Sequence, residues 1–331
     1  MKAIVYENYG SPEVLQLKEV EKPVPKDNEV LIKIHASSVT AADSMMRKGS
    51  PLFGRLFIGL MKPKNPITGT GLAGKIESAG KDVTLFKKGD QVFGEIVLGL
   101  GTNAEYVCVP EKGVLVIKPE NMTYEEAAPV CDGALTSLNF LREIGNIQQS
   151  QRILINGASG SLGSSAVQLA KYFGADVTAV CGTSNVEMVK SLGADKVIDY
   201  TNTDFTKSGE TYDIIFDTLG KRSFLDCKNS LTKNGLYLSP VLGFALLFQM
   251  LWTSKIGSKK AKFSATGLRP PSELRELLNE LKVMIDAGKL KTVIDRRYSL
   301  EKTAEAHSYV DNGHKKGNVV ISLELSSELK F

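Results

Sequence analysis

The stretch 152–180 limits what this chain can fold into more than any other part of it. An apolar run over 153–155, a glycine-rich turn over 157–163, a helical pattern over 164–173 and a second apolar run over 177–180 follow one another there. That order predicts a β-turn-α-β unit. Glycines in such a turn let backbone N–H groups approach a pyrophosphate, which then lies at the positive end of the helix. The predicted phosphate contacts are Ser159, Gly160, Ser161, Leu162 and Gly163.

Further strand-like runs follow the glycine-rich turn over 196–200, 212–217 and 235–241, and helical patterns separate them. Strands that alternate with helices indicate an α/β fold with a doubly wound parallel sheet. Ligands of such sheets bind at the carboxyl ends of the strands. Two of these strand ends are therefore predicted to line a cofactor cleft, through Leu219, Gly220, Val241, Leu242 and Gly243.

The rest of the chain has a different pattern. Residues 1–118 contain short runs in which apolar and polar residues alternate, which is typical of a half-buried antiparallel sheet. A capping box formed by Thr123 and Glu126 marks the start of a helix. Beyond residue 270, two helical patterns and a final strand over 318–323 predict a tail that packs on the first domain. The predicted domains are 1–122, 123–268 and 269–331.

Composition and charge exclude several classes of protein. The chain has 331 residues, of which 42% are hydrophobic and 24% are charged, as expected for a globular protein of about two domains. A net charge of +4 is too small to indicate a nucleic-acid partner. The four cysteines form no CxxC pair and no signal-peptide pattern precedes the first strand, so a cytoplasmic location is predicted.

Motifs along the whole chain resemble those of the medium-chain dehydrogenase/reductase superfamily, and most of all its zinc-free, quinone oxidoreductase-like branch of the zeta-crystallin type. They lie at 36–40 with Asp43, 47–49, 69–74, 88–94, 125–129, 135–136, 157–163 and 314–320. The resemblance implies a GroES-like β-rich domain joined to a Rossmann domain. It also implies a homodimer that pairs through an edge of the Rossmann sheet.

The resemblance assigns individual residues as well. It implies that Thr40 and Asp43 lie near the nicotinamide and the substrate, which makes them the candidate catalytic residues. Asp43 has an alternative role as a turn or helix-cap residue. By the same resemblance, Thr136, Tyr200 and Asn318 correspond to cofactor contacts.

Zinc-dependent members of the superfamily hold a catalytic metal through a Cys, a His-Glu pair and a later Cys or Asp. By the resemblance, those positions here are Thr40, the Gly-Thr-Gly of 69–71, and Asp132, with Cys131 one residue away. The four-cysteine structural zinc lobe has no counterpart either. A tetrahedral zinc site needs three or four N, S or O ligands, so no metal is predicted.

The end of the second strand in the β-turn-α-β unit favours NADPH over NADH. NAD enzymes usually place Asp or Glu there to bind the ribose 2′-OH, whereas this chain has Cys-Gly-Thr-Ser-Asn over 181–185. No Arg is present to bind a 2′-phosphate. Ser184 has a second interpretation as a helix cap paired with Glu187. The predicted contacts of the 2′-phosphate are Gly182, Thr183, Ser184, Lys190 and Tyr200.

Together these features predict an NADPH-dependent reductase of a small apolar carbonyl compound or quinone, acting without zinc. Oxidising an alcohol requires a group that stabilises the alkoxide, and zinc fills that role in metal-dependent relatives. A quinone or an α,β-unsaturated carbonyl is already activated by conjugation, so it needs less help to accept the hydride that the cofactor supplies. Two alternatives stay open: a zinc-free NAD(P)-dependent alcohol dehydrogenase, and a non-catalytic NADPH-binding regulatory or adaptor protein.

The apolar run 243–252, followed by Lys255, Lys259, Lys260 and Lys262, is the most individual feature of the chain. Three interpretations fit it: a helix buried in the core or at a subunit interface, a cover over the substrate, and a helix on a membrane surface with its lysines toward lipid headgroups. The buried helix is the preferred interpretation, and membrane contact is the least favoured.

Overall fold

The computed structural model describes residues 1–96 and 101–324, in which the chain forms two compact units, 1–132 with 267–331 and 133–266. The functional domain limits 1–122, 123–268 and 269–331 stay a prediction. Residues 97–100 and 325–331, which belong to the first and last of these domains, lie outside the described residues.

Both units contain strands and helices. The strands are β1 (Lys2–Val5), β2 (Gln16–Glu19), β3 (Glu29–Val39), β4 (Gly71–Ala79), β5 (Gln91–Glu95), β6 (Tyr106–Pro110), β7 (Val114–Ile117), β8 (Arg152–Asn156), β9 (Asp176–Cys181), β10 (Lys196–Asp199), β11 (Tyr212–Asp217), β12 (Leu231–Leu238), β13 (Lys260–Lys262), β14 (Ile294–Tyr298) and β15 (Asn318–Ser322). The α-helices are α1 (Ala41–Lys48), α2 (Arg55–Ile58), α3 (Tyr124–Ala127), α4 (Thr136–Leu138), α5 (Ser161–Tyr172), α6 (Val186–Ser191), α7 (Phe224–Cys227), α8 (Phe244–Lys255), α9 (Pro271–Asp286) and α10 (Thr303–Asp311). Wider π-helical turns span Cys131–Leu135 and Asn139–Ile144, and short 3₁₀ turns span Pro12–Val14, Leu52–Gly54, Thr183–Asn185, Phe205–Lys207, Lys228–Ser230, Thr266–Leu268 and Leu300–Lys302.

The unit 133–266 is built on a parallel sheet of six strands, in the order β10-β9-β8-β11-β12-β13. Its central strands are apolar and buried, as strands covered on both faces must be. The strand order reverses between β8 and β11, and the ends of adjacent strands at such a reversal form the usual ligand site of an open parallel sheet. The predicted α/β fold class is confirmed.

The other unit is built on a seven-stranded, mostly antiparallel sheet in the order β14-β15-β3-β4-β5-β7, with β6 also paired to β3. The last strand of the chain, β15, is antiparallel to β3, and Val320 lies opposite Ser38. One face of α9 is buried, because apolar residues recur at helical spacing along it. Those residues are Leu274, Leu277, Leu278, Leu281 and Met284.

Two local predictions of element boundaries were inaccurate. Helix α5 begins at Ser161, three residues before the predicted start, because the last part of the glycine-rich turn is already helical. Strand β12 ends at Leu238, so Val241 belongs to the connection that follows the strand. The capping box of Thr123 and Glu126 is present as predicted. No helix within 1–96 and 101–324 combines the length and apolar character needed to cross a bilayer.

Candidate functional site

Two of the three glycines in the turn after β8 are required by the packing of the protein itself. Gly157 has a φ of +80°, and a Cβ placed on it would lie 2.6 Å from Thr218 Oγ1. A Cβ on Gly163 would lie 2.1 Å from the carbonyl oxygen of Gly157. Neither position can hold a larger residue without a shift of the backbone or of the neighbouring strand end.

Gly160 is different, because nothing in the protein requires it to be a glycine. Its φ of −79° is open to any residue, and a Cβ there would come no closer than 3.6 Å to other atoms, the nearest being the Gly157 carbonyl oxygen. Gly160 also precedes α5 without a capping side chain. The missing side chain leaves room for a ligand to approach the backbone at the positive end of a helix, which fits a pyrophosphate.

The helical segment before β8 holds this turn from one side. The hydroxyl of Ser137 donates a 2.8 Å hydrogen bond to the carbonyl oxygen of Leu162, and a Cβ on Gly133 would lie 2.8 Å from Ser161 Oγ. Thr136, predicted as a cofactor contact, is half-buried beside Ser137. Sequence reasoning missed Gly133 and Ser137, although two small residues four apart on one helix indicate a close packing face.

Tyr200 lies beside the end of β9, where the sequence predicts the 2′-phosphate. Its side chain is 58% exposed, and a Cβ on Gly182 would lie 3.3 Å from its hydroxyl oxygen. Asn185 Nδ2 donates to Ser159 Oγ over 3.1 Å, so this segment is tied to the glycine-rich turn. The structure therefore brings Ser159, Gly182 and Tyr200 into one neighbourhood.

Ser184 does not cap a helix with Glu187, so that interpretation was wrong. Asn185 is the residue that precedes α6, no side chain caps the helix there, and Ser184 lies within the preceding 3₁₀ turn. Glu187 instead pairs with Lys190, whose Nζ lies 3.0 Å from the carboxylate. Both Ser184 and Lys190 are exposed and accessible to a ligand.

Asp199 is an acidic residue near this segment that sequence reasoning did not weigh. Its carboxylate accepts a 2.6 Å hydrogen bond from Thr183 Oγ1 and further bonds from the backbone N–H of Thr201 and Nδ2 of Asn202. The hydrogen bond from Thr183, followed by those from Thr201, lowers the pKa of Asp199. The protein's own donors therefore occupy this carboxylate, which makes it a poor partner for a ribose hydroxyl.

The connections after β11 and β12 lie together, as the sequence predicts for the two strand ends. Asp217 is fully buried and accepts hydrogen bonds from Asn156 Nδ2 at 2.9 Å and the Arg222 backbone N–H at 2.9 Å. It thereby fixes the loop that carries Leu219 and Gly220. A Cβ on Gly220 would lie 2.6 Å from Val241 Cβ, so the two connections touch. Leu242 and Gly243 follow and lead into α8.

In the unit 1–132 with 267–331, Thr40 and Asp43 form a buried capping box at the start of α1. Asp43 Oδ2 accepts from the backbone N–H of Thr40 at 2.9 Å and from its hydroxyl at 2.7 Å. Thr70 Oγ1 donates to the other carboxylate oxygen over 3.3 Å. Burial raises the pKa of Asp43 to about 6, and the hydrogen bonds from Thr40 oppose that shift. Asp43 thus has the helix-cap role that was the alternative interpretation, and the catalytic role stays a prediction.

A second perturbed carboxyl group accompanies Asp43, and sequence reasoning missed it. The pairing of β4 with β5 places Glu95 opposite Gly71, the residue after Thr70. Burial, followed by the negative charges of Asp132 and Asp43, raises the pKa of Glu95 to about 7. No spacing in the sequence signals this cluster, because the register of two paired strands brings it together.

The same unit also contains a basic residue with a shifted pKa, Lys315. Burial lowers its pKa, and the charges of Asp132 and Asp295 oppose that shift. Its Nζ donates a 2.9 Å hydrogen bond to the Gly317 carbonyl oxygen. Asn318, predicted as a cofactor contact, begins β15 in this unit and donates through Nδ2 to the Val293 carbonyl oxygen at 3.0 Å. It is therefore in a different unit from the other predicted cofactor residues.

The positions that correspond to zinc ligands in metal-dependent relatives do not form a metal site. Within the described part of the chain, no three His, Cys, Asp or Glu side chains are close enough together to hold a metal ion. Thr40 and Thr70 hydrogen-bond to Asp43 instead. Burial raises the pKa of the Cys131 thiol well above its usual range.

Comparisons with known proteins agree with this geometry. The family model of an alcohol dehydrogenase GroES-like domain matches residues 26–120, and that of a zinc-binding dehydrogenase matches residues 192–321. A chloroplastic quinone-oxidoreductase homolog of Spinacia oleracea is 32% identical over 97% of this chain and 98% of its own length. A mitochondrial NAD(P)H oxidoreductase of Mus musculus is 32% identical over 98% of this chain and 89% of its own.

Two further similarities bear on the chemistry and the fold. The 2-methylene-furan-3-one reductase of Solanum lycopersicum is 32% identical over 97% of this chain and 79% of its own length. The solved structure of the quinone oxidoreductase from Coxiella burnetii superimposes with a TM-score of 0.87, at 27% identity, over 98% of this chain and 99% of that chain.

Proposed function

The chain belongs to the quinone oxidoreductase-like branch of the medium-chain dehydrogenase/reductase superfamily, and on that premise we propose that it is an NADPH-dependent reductase of quinones and α,β-unsaturated carbonyls that needs no zinc. The coarser part, an NAD(P)H-dependent oxidoreductase, follows from the family and its relatives. The observation that carries the cofactor-binding part of the proposal is Gly160, where the protein has room for a Cβ and the missing side chain leaves space for a phosphate at the start of α5.

The preference for NADPH is supported by the residues around the end of β9. The end of β9 is followed by no Asp or Glu over 181–185. The nearby carboxylate of Asp199, at the end of β10, already accepts a hydrogen bond from Thr183. The exposed ammonium of Lys190 and the hydroxyl of Tyr200 supply a positive charge and a hydrogen-bond donor for a 2′-phosphate. A bound anion would share the three N–H donors of Lys190 with Glu187 or displace that carboxylate, at the cost of the surface ion pair. Surface pairs of this kind are weak, so that cost is small.

The choice of substrate is supported by chemistry and by the relatives. A 2-methylene-furan-3-one and a quinone share a carbonyl conjugated to a carbon–carbon double bond. Bound NADPH would supply the hydride for the electron-poor carbon. We assign Thr40 and Asp43 to the substrate side, where the Thr40 hydroxyl is held in one orientation by its bond to Asp43. Thr40 and Thr70 in place of zinc ligands favour an acceptor that needs no metal as a Lewis acid.

The proposal is tested first by calorimetric titration with NADPH and, separately, NADH. We expect NADPH to bind more tightly, and Lys190→Ala to weaken NADPH binding by about tenfold through the lost charge-assisted hydrogen bond, while NADH binding is unchanged. Lys196→Ala is the matched control, because Lys196 is also an exposed lysine paired with a glutamate, Glu210, and has no assigned role. Tighter binding of NADH, or an equal effect of both variants, would contradict the cofactor assignment.

Turnover separates the reductase from the alternatives. Protein that binds NADPH should oxidise it in the presence of a quinone or an enone, at a rate that a chelator does not change. Protein that binds NADPH but reduces no member of a broad panel of quinones and enones would overturn the reductase and favour an adaptor.

A further inference from the structure

Helix α8 has the reverse of the usual arrangement of polar and apolar side chains. Its buried residues are Leu246, Gln249 and Thr253, two of which are polar. The backbone N–H of Phe224 donates to Gln249 Oε1 over 3.2 Å, and that of Ala261 donates to Thr253 Oγ1 over 3.1 Å. Hydrogen bonds therefore hold the inner face of α8 to the rest of the unit. Most of the apolar residues of the helix lie on its outer face.

The outer side of α8 carries a continuous apolar stripe. Phe244 is 91% exposed, Phe248 is 65% exposed and Leu251 is 64% exposed. The rings of Phe248 and Trp252 meet edge to face, with their centroids 6.2 Å apart. Exposed apolar residues on adjoining segments extend the stripe. We call the whole set the α8 face: Leu225, Phe244, Leu247, Phe248, Leu251, Trp252 and Ile256.

The surroundings of the α8 face within the unit 133–266 are mainly positively charged. Between Cys227 and Thr266 the sequence contains no Asp or Glu but six lysines, Lys228, Lys233, Lys255, Lys259, Lys260 and Lys262, while the acidic Asp226 stands next to Leu225. Three of these, Lys228, Lys233 and Lys255, are exposed. Lys255 ends α8 directly beside the apolar stripe. Lysines at the edge of an exposed apolar helix suit a surface that is apolar inside and negatively charged at its rim.

We propose that the α8 face binds the surface of a lipid bilayer that contains anionic lipids, with the apolar stripe among the acyl chains and the lysines at the headgroups. Each part of the face has a partner there: the aromatic rings lie at the interface, and each lysine gains from the negative surface potential. This inference does not depend on the proposed reductase activity. The exposure of the α8 face contradicts burial of 243–252 in the core of the chain, whereas the subunit interface and the substrate cover stay predictions.

A second copy of the chain suits the face less well. In a symmetric dimer the same patch lies on both sides of the interface. Lys255 of one copy would then approach a region that is also mainly basic, in which the six lysines of 227–266 outnumber the acidic Asp226. Like charges brought together in this way oppose association.

The single tryptophan of the chain, Trp252, gives a direct test because it lies in the α8 face. Intact protein is mixed with vesicles of phosphatidylcholine alone or of phosphatidylcholine and phosphatidylglycerol, and tryptophan emission and flotation with the vesicles are measured. We expect a blue shift and co-flotation with the phosphatidylglycerol vesicles only, both weakened by added salt.

Two pairs of substitutions separate the apolar and charged contributions. Lys228→Glu with Lys255→Glu should weaken vesicle binding roughly 30-fold or more, since each lysine near the surface contributes about a fivefold factor. Phe248→Ser with Leu251→Ser should abolish the blue shift. The matched controls Lys87→Glu with Lys88→Glu, and Leu85→Ser with Val283→Ser, change equally exposed residues outside the α8 face and should leave binding unchanged.

Each other outcome overturns the proposal. Absence of a blue shift and of flotation with the phosphatidylglycerol vesicles would exclude membrane binding by α8. A blue shift that appears without vesicles as protein concentration rises, together with a dimer in sedimentation that the Phe248→Ser with Leu251→Ser variant loses, would assign the face to a second copy. Equal loss of binding in the matched controls would show that the effect is not specific to α8.

Discussion

At the scale of single residues, Glu95 and Asp43 are two carboxyl groups whose pKa values are raised well above their usual range. Both carboxyl groups have a raised pKa because burial disfavours their charged forms, and Glu95 also senses the charges of Asp43 and Asp132. Perturbed carboxyl groups of this kind cluster at functional sites more often than elsewhere. Asp43 also accepts a hydrogen bond from the Thr40 hydroxyl, which we propose faces the substrate, so the ionisation of this cluster would bear on the proposed reaction.

Glu95 should make the folded protein less stable as the pH rises. Its pKa goes from 4.5 in the unfolded chain to about 7 in the folded one, so its contribution to stability is present below pH 4.5 and lost as the pH rises through about 7. We expect Glu95→Gln to raise the free energy of unfolding at pH 8 by on the order of 2–3 kcal/mol and to change it little at pH 4.5. Urea denaturation at the two pH values measures the difference.

Glu111→Gln is the control, because the pKa of Glu111 is shifted in the opposite direction to that of Glu95. Backbone N–H groups of Thr84 and Leu85 donate to the Glu111 carboxylate and lower its pKa. Its contribution is therefore present at pH 8 and lost as the pH falls, so this variant should be destabilised at pH 8. A gain for Glu95→Gln that is equal at both pH values would show that packing, not ionisation, is responsible.

At the scale of elements, the turn between β8 and α5 contains a glycine that the fold requires, Gly163, and a glycine that we assign to ligand binding, Gly160. Gly163→Ala places a methyl group 2.1 Å from the Gly157 carbonyl oxygen, and we expect a loss of about 1–3 kcal/mol in the free energy of unfolding. Gly160→Ala meets no protein atom within 3.6 Å, so stability should be unchanged within about 0.5 kcal/mol. NADPH binding, however, should weaken by about tenfold or more, because the methyl group occupies the space of the phosphate.

Calorimetric titration and urea denaturation of both variants measure these two effects separately. Gly160→Ala protein that binds NADPH as tightly as the wild type would place the phosphate elsewhere. A Gly160→Ala variant that unfolds as readily as Gly163→Ala would mean that the turn itself requires the glycine.

The elements themselves were predictable wherever the local pattern was strong. Strand β11 spans Tyr212–Asp217 as predicted, because its apolar residues are buried on both faces and polar residues bound the run. The Ser184 cap was misassigned because its spacing to Glu187 matched a capping box, whereas a 3₁₀ turn intervenes in the fold. The electrostatic interaction of Glu95 with Asp43 and the hydrogen bond of Ser137 to Leu162 join distant parts of the chain. Tertiary pairing, and not local spacing, determines both.

At the scale of the whole molecule, the chain keeps two compact units with separate cores and the strand order of its superfamily, while individual side chains have changed. The unit 133–266 retains the glycine-rich turn at the point where its sheet order reverses. In the other unit, the fold is kept where metal-dependent relatives hold zinc, but the side chains there are Thr40 and Thr70, which hydrogen-bond to Asp43. Fold and family do not by themselves assign a metal to this unit, because the side chains at the site determine what it can bind.

The last prediction concerns metal and the stability of the whole protein. A structural or catalytic zinc contributes its binding free energy to the folded state, so its removal lowers the melting temperature of proteins that hold one. Because Thr40 and Thr70 offer only hydroxyl groups and the pKa of the Cys131 thiol is raised, we expect dialysis against a chelator to leave the melting temperature and the NADPH affinity unchanged. Added zinc should not raise either one. A melting temperature that falls on dialysis and returns with one equivalent of zinc would instead require ligands other than those proposed, and would reopen the alcohol dehydrogenase interpretation.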